Sequence, residues 1–219
     1  MPAPAIHAVI WDFGGVISSS PFEAFAAYEQ AHGLPPDFLR TINATNHLDN
    51  AWARFERSDI DLAQFDEAFA QESAALGHPV RGRDVIALLG GSIRPQMVQA
   101  LRVLRTRLKI GLITNNVATP GAGAHGSTDL NPDPLGRDAI LPLFHHVIES
   151  AKLGLRKPDP KIYLLMCEAL AVQPAHCVFL DDLGVNLKPA RDLGMHTIKV
   201  GDPDLALQQL QALVGFALA

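Results

Sequence analysis

Apolar runs at residues 6–13, 109–114, 145–149, 177–180 and 197–200 read as buried strands, and between 110 and 200 they are separated by helical or loop segments. A strand followed by a helix and then another strand makes parallel neighbours, and a parallel sheet must be covered on both faces. The expected fold is therefore α/β, a parallel sheet flanked by helices. In open sheets of this kind ligands bind beyond the carboxyl ends of the strands. Residues that end a strand thus become the first candidates for function.

Between the first two strands the pattern changes. Segments 22–32, 37–41, 48–57 and 62–76 carry apolar residues at three-and-four spacing, with no strand among them. Asp61-Leu62-Ala63-Gln64 has the form of a capping box, and Arg94-Pro95-Gln96 marks a helix start with Pro95 at its first position. The expected organisation is a core of residues 1–17 and 94–219 with a small helical cap, residues 18–93, inserted after the first strand. Further helices are expected at 97–108, 160–171, 185–193 and 203–218. Residues 117–134 are rich in Gly, Pro, Asp, Asn and Ser without periodicity and read as a long loop, in which His125 is expected to be solvated.

Composition narrows the partners. With 219 residues and 48% apolar content the chain can build a real core, and a net charge of −5 with scattered acids argues against nucleic acid or anionic membrane as a partner. The two cysteines, Cys167 and Cys177, have no metal-site spacing and read as buried thiols in a reducing compartment. No basic residue precedes an apolar run at the N-terminus and no stretch has membrane-spanning length, so a cytoplasmic protein is expected, monomeric or homodimeric.

Four segments end or follow a predicted strand: Asp12, Thr114-Asn115, Lys157 and Asp181-Asp182. Each has an ordinary structural reading on its own, as a cap, a turn or a solvated loop residue. Gathered on one sheet edge they suit transfer of a phosphoryl group. An Asp carboxylate can attack phosphorus, a hydroxyl and an amide can donate to non-bridging oxygens, and a lysine supplies compact positive charge. Acids packed beside Asp12 call for a divalent cation such as Mg²⁺ between them.

The ordered set Asp12-Phe13-Gly14-Gly15-Val16, Leu112-Ile113-Thr114-Asn115-Asn116, Lys157-Pro158-Asp159-Pro160 and Leu180-Asp181-Asp182 resembles the four motifs of haloacid dehalogenase-like hydrolases. Residues 148–195 especially resemble the N-terminal phosphatase domain of soluble epoxide hydrolases, and related domains fused to certain acyl-CoA dehydrogenases carry a similar glycine-containing first motif. The resemblance implies a Rossmann-like sheet, a helical cap, Mg²⁺ and an aspartyl-phosphate mechanism. By it, Asp12 is nucleophile and metal ligand. Thr114, Asn115 and Gly15 bind substrate, and Lys157 bridges Asp12 and phosphate. The Gly14 carbonyl and Asp182 bind metal, and Asp181 and Asn186 act from behind them.

One departure bears on the chemistry. The family's phosphatases carry a second Asp two positions after the nucleophile, which protonates the leaving oxygen and then activates water; this chain has Gly14. A general acid is worth about a hundred- to ten-thousand-fold, roughly 3–5 kcal/mol of barrier. Ser18, Ser19, Ser20 or Glu56 are the residues that could stand in, although Glu56 reads as a solvated helix residue. The expectation is a Mg²⁺-dependent phosphatase acting slowly on a small phosphorylated metabolite. The alternatives are a non-catalytic phosphate- or metabolite-binding module and a metal-independent 2-haloacid dehalogenase.

Overall fold

The computed structural model describes residues 5–116 and 136–218; the expected loop at 117–134, with His125, lies outside the described residues. Five strands, β1 (Ala8–Trp11), β2 (Lys109–Thr114), β3 (His146–Glu149), β4 (Cys177–Asp181) and β5 (His196–Lys199), pair in parallel in the order β3-β2-β1-β4-β5. The helices are α1 (Pro21–Ala31), α2 (Phe38–Ala44), α3 (Ala51–Glu56), α4 (Leu62–Ala75), α5 (Gly82–Ile86), α6 (Pro95–Arg105), α7 (Arg137–Ile140), α8 (Ser150–Leu153), α9 (Pro160–Leu170), α10 (Gly184–Asp192) and α11 (Pro203–Val214).

Both faces of the sheet are covered, which is why its strands read as continuous apolar runs. Along β1 the side chains alternate: Val9 and Trp11 join a core with Met97, Leu101 and Leu104 of α6 and Leu210 of α11. Ala8 and Ile10 enter a second core with Ile162, Tyr163 and Met166 of α9 and Leu187 of α10. Gly111 sits in β2 because α9 crosses closely there; a Cβ would lie 2.5 Å from Met166 Sδ. The C-terminal stripe docks on the core through Ala206, Leu210 and Leu218. Its helix stops at Val214, earlier than the periodicity predicts, because Gly215 takes φ 78° and ends it.

The chain leaves and re-enters this core at one place. Ser18 and Ile93 form an antiparallel bridge, flanked by Ser19 N–H to Ser92 C=O (2.8 Å) and Arg94 N–H to Ile17 C=O (2.8 Å). Between the two linkers, α1–α5 gather a separate apolar cluster around Phe25, Phe38, Leu39, Phe55, Phe65 and Phe69. The Asp61–Gln64 capping box forms as expected, with both reciprocal bonds made. Helix α3 begins later than expected because Asn50 is its cap. The Asn50 Oδ1 accepts from Ala53 N–H (2.8 Å), while Nδ2 donates to the carbonyls of Asn43 and Thr45. Helix α5 was not predicted from the sequence. It is short and opens on a glycine, and it is held by tertiary contacts: Gly82 lies against the Phe65 ring, and Arg81 and Arg83 both pair with Asp66.

Candidate active site

Strand order reverses between β1 and β4, so their carboxyl ends flank the switch point of the sheet. Asp12 leaves β1 there, with its N–H on Leu180 C=O (2.9 Å), and Asp181 ends β4. Lys157, on the loop between α8 and α9, reaches in between the two. Its Nζ lies 2.8 Å from Asp12 Oδ1 and 2.7 Å from Asp181 Oδ2, and the lysine is 1% exposed.

Each of these groups is oriented by others. Asp181 is fully buried and saturated: Oδ1 accepts from Leu183 N–H (2.8 Å) and Asn186 Nδ2 (3.0 Å), and Oδ2 accepts from Lys157. Tyr163 in turn donates its hydroxyl to Asn186 C=O (2.7 Å). Asp181, itself held by Asn186, therefore anchors Lys157, and Asp182 is the partly exposed acid of the pair. Thr114 is buried at the end of β2. Asn115 closes a two-bond clamp on the Lys157 backbone, accepting its N–H (2.9 Å) and donating to its C=O (3.0 Å). The Asn115 side-chain amide is thus taken up by the lysine loop.

The two glycines after Asp12 differ. Gly15 has φ 72°, and a Cβ there would overlap the Asp182 carboxylate, so a larger residue would displace that acid. Gly14 has open space where a Cβ would be built, so the absence of a side chain is not forced by packing. Arg94, which precedes α6, donates to Gly15 C=O (2.7 Å) and Val16 C=O (3.4 Å) and fixes this turn.

Asp12, Asp181 and Asp182 each offer a carboxylate oxygen within 4.8 Å of the others. Burial pushes Asp12 up to about 8 against the pull of Lys157, with Asp181 and Asp182 adding to the rise. Burial and the neighbouring Asp181 lift Asp182 to about 6, opposed by Lys157 and Arg94. Burial alone would lower the Lys157 ammonium, but Asp12 and Asp181 outweigh it and hold it above its ordinary value. Three acids crowd one cation, and hard oxygen donors with surplus negative charge fit a divalent ion of the Mg²⁺ type.

The stand-ins for a general acid are all engaged. Ser18 donates to Phe13 C=O (3.4 Å), Ser19 Oγ accepts from Ser92 N–H (3.1 Å), and Ser20 Oγ caps α1 at Phe22 N–H (3.4 Å). Glu56 is buried, not solvated as its residue type suggested. Its carboxylate accepts from Arg156 Nε (2.6 Å) and Trp52 Nε1 (2.9 Å). The sequence reading also missed Arg137. Its guanidinium stacks 4.7 Å from the centroid of the Phe13 ring and pairs with Glu149 (3.5 Å), whose carboxylate also accepts from Asn116. Burial lowers this arginine's pKa while Glu149, Asp12 and Asp138 oppose the shift, and its guanidinium adds positive charge near Asp12. Nothing in its local sequence announces that, because the contact is made across the fold.

Residues 6–194 match the family model of haloacid dehalogenase-like hydrolases. The chain is 35% identical over 218 residues to acyl-CoA dehydrogenase family member 10 of Mus musculus, covering 97% of this chain and 19% of that protein. It is 32% identical to bifunctional epoxide hydrolase 2 of Sus scrofa, covering 98% of this chain and 40% of the relative. It thus spans less than half the length of either protein. A phosphatase of Mycobacterium tuberculosis is 29% identical over 90% of this chain and 88% of its own length. Among solved structures, a family enzyme of Bacteroides thetaiotaomicron in complex with magnesium and inorganic phosphate superposes with a TM-score of 0.60 at 21% identity, covering 90% of this chain and 96% of that one. The motifs, the sheet order and the family match agree, and the chain belongs to the haloacid dehalogenase-like hydrolases.

Proposed function

We propose that this protein is a Mg²⁺-dependent phosphatase of small phosphomonoesters that works through phosphorylation of Asp12, with residues 18–93 serving as the cap over its site. The observation that carries this reading is the Lys157 ammonium seated between Asp12 and Asp181, with Asp182 beside them on the carboxyl edge of the sheet. Asp12, the Gly14 carbonyl and Asp182 would hold Mg²⁺, which when bound screens the negative charge of the phosphoryl oxygens.

The chain's own groups do the rest. An Asp12 oxygen attacks phosphorus, the P–O bond to the leaving group breaks, and that oxygen departs with its electron pair. Lys157 opposes the burial that favours the protonated form of Asp12, and it offers positive charge to the incoming phosphate. Thr114, Gly15 and the main chain at Asn115 are assigned to the non-bridging oxygens. Water then attacks the acyl phosphate and frees Asp12. Gly14 supplies no proton to the leaving oxygen, so esters of acidic alcohols and phenols are the favoured substrates. The free buried thiols Cys167 and Cys177 fit a cytoplasmic setting.

The deciding assay is release of phosphate from an aryl phosphate with and without Mg²⁺. The wild type is expected to turn over slowly and only with the ion. Gly14→Asp, which has room for its side chain, is expected to raise kcat toward alkyl phosphates by about a hundredfold. A wild type that binds a phosphate mimic with Mg²⁺ yet never releases product would favour a binding module, the reading that Gly14 itself supports.

Ion binding has its own readout. Asp12 and Asp182 hold protons in the folded chain that the unfolded chain, with ordinary carboxylates, has released. Metal-free stability therefore falls as pH rises from about 4 to 8, and Mg²⁺ must displace those protons. Saturating Mg²⁺ at a hundred times its Kd contributes about 2.7 kcal/mol, a rise in Tm of roughly 5–10 °C for a chain of this size. At a fixed Mg²⁺ concentration the shift is expected to be larger at pH 8 than at pH 6. An equal shift at both would contradict the crowded-acid picture.

A further inference from the structure

Glu56 was singled out in the sequence, and the phosphatase chemistry leaves it unused. It lies at the end of α3 in the cap, and its partner Arg156 immediately precedes Lys157 in the core. We infer that Trp52, Glu56 and Arg156 form a mechanical relay by which the cap sets the position of Lys157, making Glu56 and Arg156 positioning residues. This inference rests on the phosphatase reading for its effect on turnover, though not for its effect on structure.

The relay is continuous. Trp52 packs edge-on against Phe65 and Phe69 in the cap core, with ring centroids 5.6 and 6.5 Å away. Its Nε1 donates to Glu56 Oε1 (2.9 Å), and Glu56 Oε2 accepts from Arg156 Nε (2.6 Å). Arg156 reaches the cap a second time, donating through Nη1 to His47 C=O (2.8 Å). One residue on, the Lys157 N–H and C=O are both held by Asn115 at the end of β2. A parallel tie runs from Ser58 Oγ to Ala151 C=O (2.9 Å), between the same two parts of the chain.

Two physical points make this more than a surface contact. Glu56 is 6% exposed and the Arg156 side chain 17%, so the ion pair is poorly screened and its geometry is stiff. The Lys157 main chain is held by the β2 end through Asn115, and the residue just before it is held by the cap through the Arg156 side chain. Its ammonium must meet two carboxylates at once, so a small shift of that backbone is felt at Asp12.

The test variant is the double Glu56→Gln/Arg156→Met, which removes both charges and leaves no buried carboxylate unpaired; Glu56→Gln alone, which keeps an acceptor for Trp52, is the milder companion. Hydrogen–deuterium exchange is read at the Lys157 amide, with β1 and β4 as internal references. Exchange at Lys157 is expected to quicken about tenfold with the references unchanged. On an aryl phosphate with Mg²⁺, kcat is expected to fall about tenfold with KM little altered, and Arg156→Lys should recover part of both losses. Unchanged exchange at Lys157, or a rise matched in β1 and β4, would overturn the relay. A wild type with no phosphate release would instead sink the phosphatase reading, while the exchange result still decides the relay.

Discussion

Lys157→Met is expected to cost both fold and function. The lysine is almost fully buried, and its Nζ is the cation that two carboxylates share, at 2.8 Å from Asp12 and 2.7 Å from Asp181. Methionine fills a similar volume, so the packing loss is small and the effect is electrostatic. Removing one member of a buried ion pair costs about 3–5 kcal/mol, because the partner left behind stays desolvated. For a chain of this length that is a fall in Tm of roughly 10 °C. The deficit depends on pH with a definite sign. Stripped of its cation, Asp12 can escape by protonating, so the loss should be larger at pH 8 than at pH 5. Turnover should drop about 10²- to 10³-fold at either pH, since positive charge aimed at the phosphoryl oxygens is gone. Thermal melts of the two proteins at both pH values decide the matter. A variant as stable as wild type at pH 8 would mean that the lysine does not compensate the acids.

The architecture was legible in the sequence because strand burial and strand chemistry coincide in one linear pattern. The apolar runs that become β1, β2 and β4 each end in a residue of the site, and period-two burial on both faces leaves few other ways to arrange them. Asp12, Lys157, Asp181 and Asp182 meet as that pattern requires. What escaped the sequence is what depends on partners distant along the chain. Arg137 acquires its place from the Phe13 ring and Glu149. Helix α5 forms only because Phe65 and Asp66 are there to receive it. Glu56 is the sharpest case. A glutamate is rarely buried unless a counter-ion comes from elsewhere, and here it comes from Arg156, a hundred positions later. Asn115 likewise reads as a phosphate donor by its position after β2, while its side chain in fact grips the Lys157 main chain.

Asp12→Asn separates the nucleophile from the scaffold more cleanly than any other change. Asparagine keeps the shape of aspartate and retains an oxygen to accept the Phe13 N–H, which now bonds Asp12 Oδ1 at 2.7 Å. Lys157 keeps Asp181. The substitution also removes one of three crowded acids, and that acid is the one burial pushes up to about 8. Metal-free Tm is therefore expected to be no lower than wild type at neutral pH, and higher above pH 8, where the native aspartate is forced to ionise. Chemistry should respond in the opposite direction. An amide oxygen is a poor nucleophile toward phosphorus and its phosphoryl adduct has no easy route to hydrolysis, so turnover of an aryl phosphate should fall by about 10⁴-fold or more. Mass spectrometry of acid-quenched protein should find a phosphoryl group on the Asp12 peptide of the wild type and none on the variant. If Asp12→Asn keeps turnover within tenfold, water attacks phosphorus directly and the covalent route through this carboxylate is wrong. If turnover is lost together with Tm, the aspartate is first of all a structural anchor for Lys157, and its role as nucleophile would need the trapped adduct to stand.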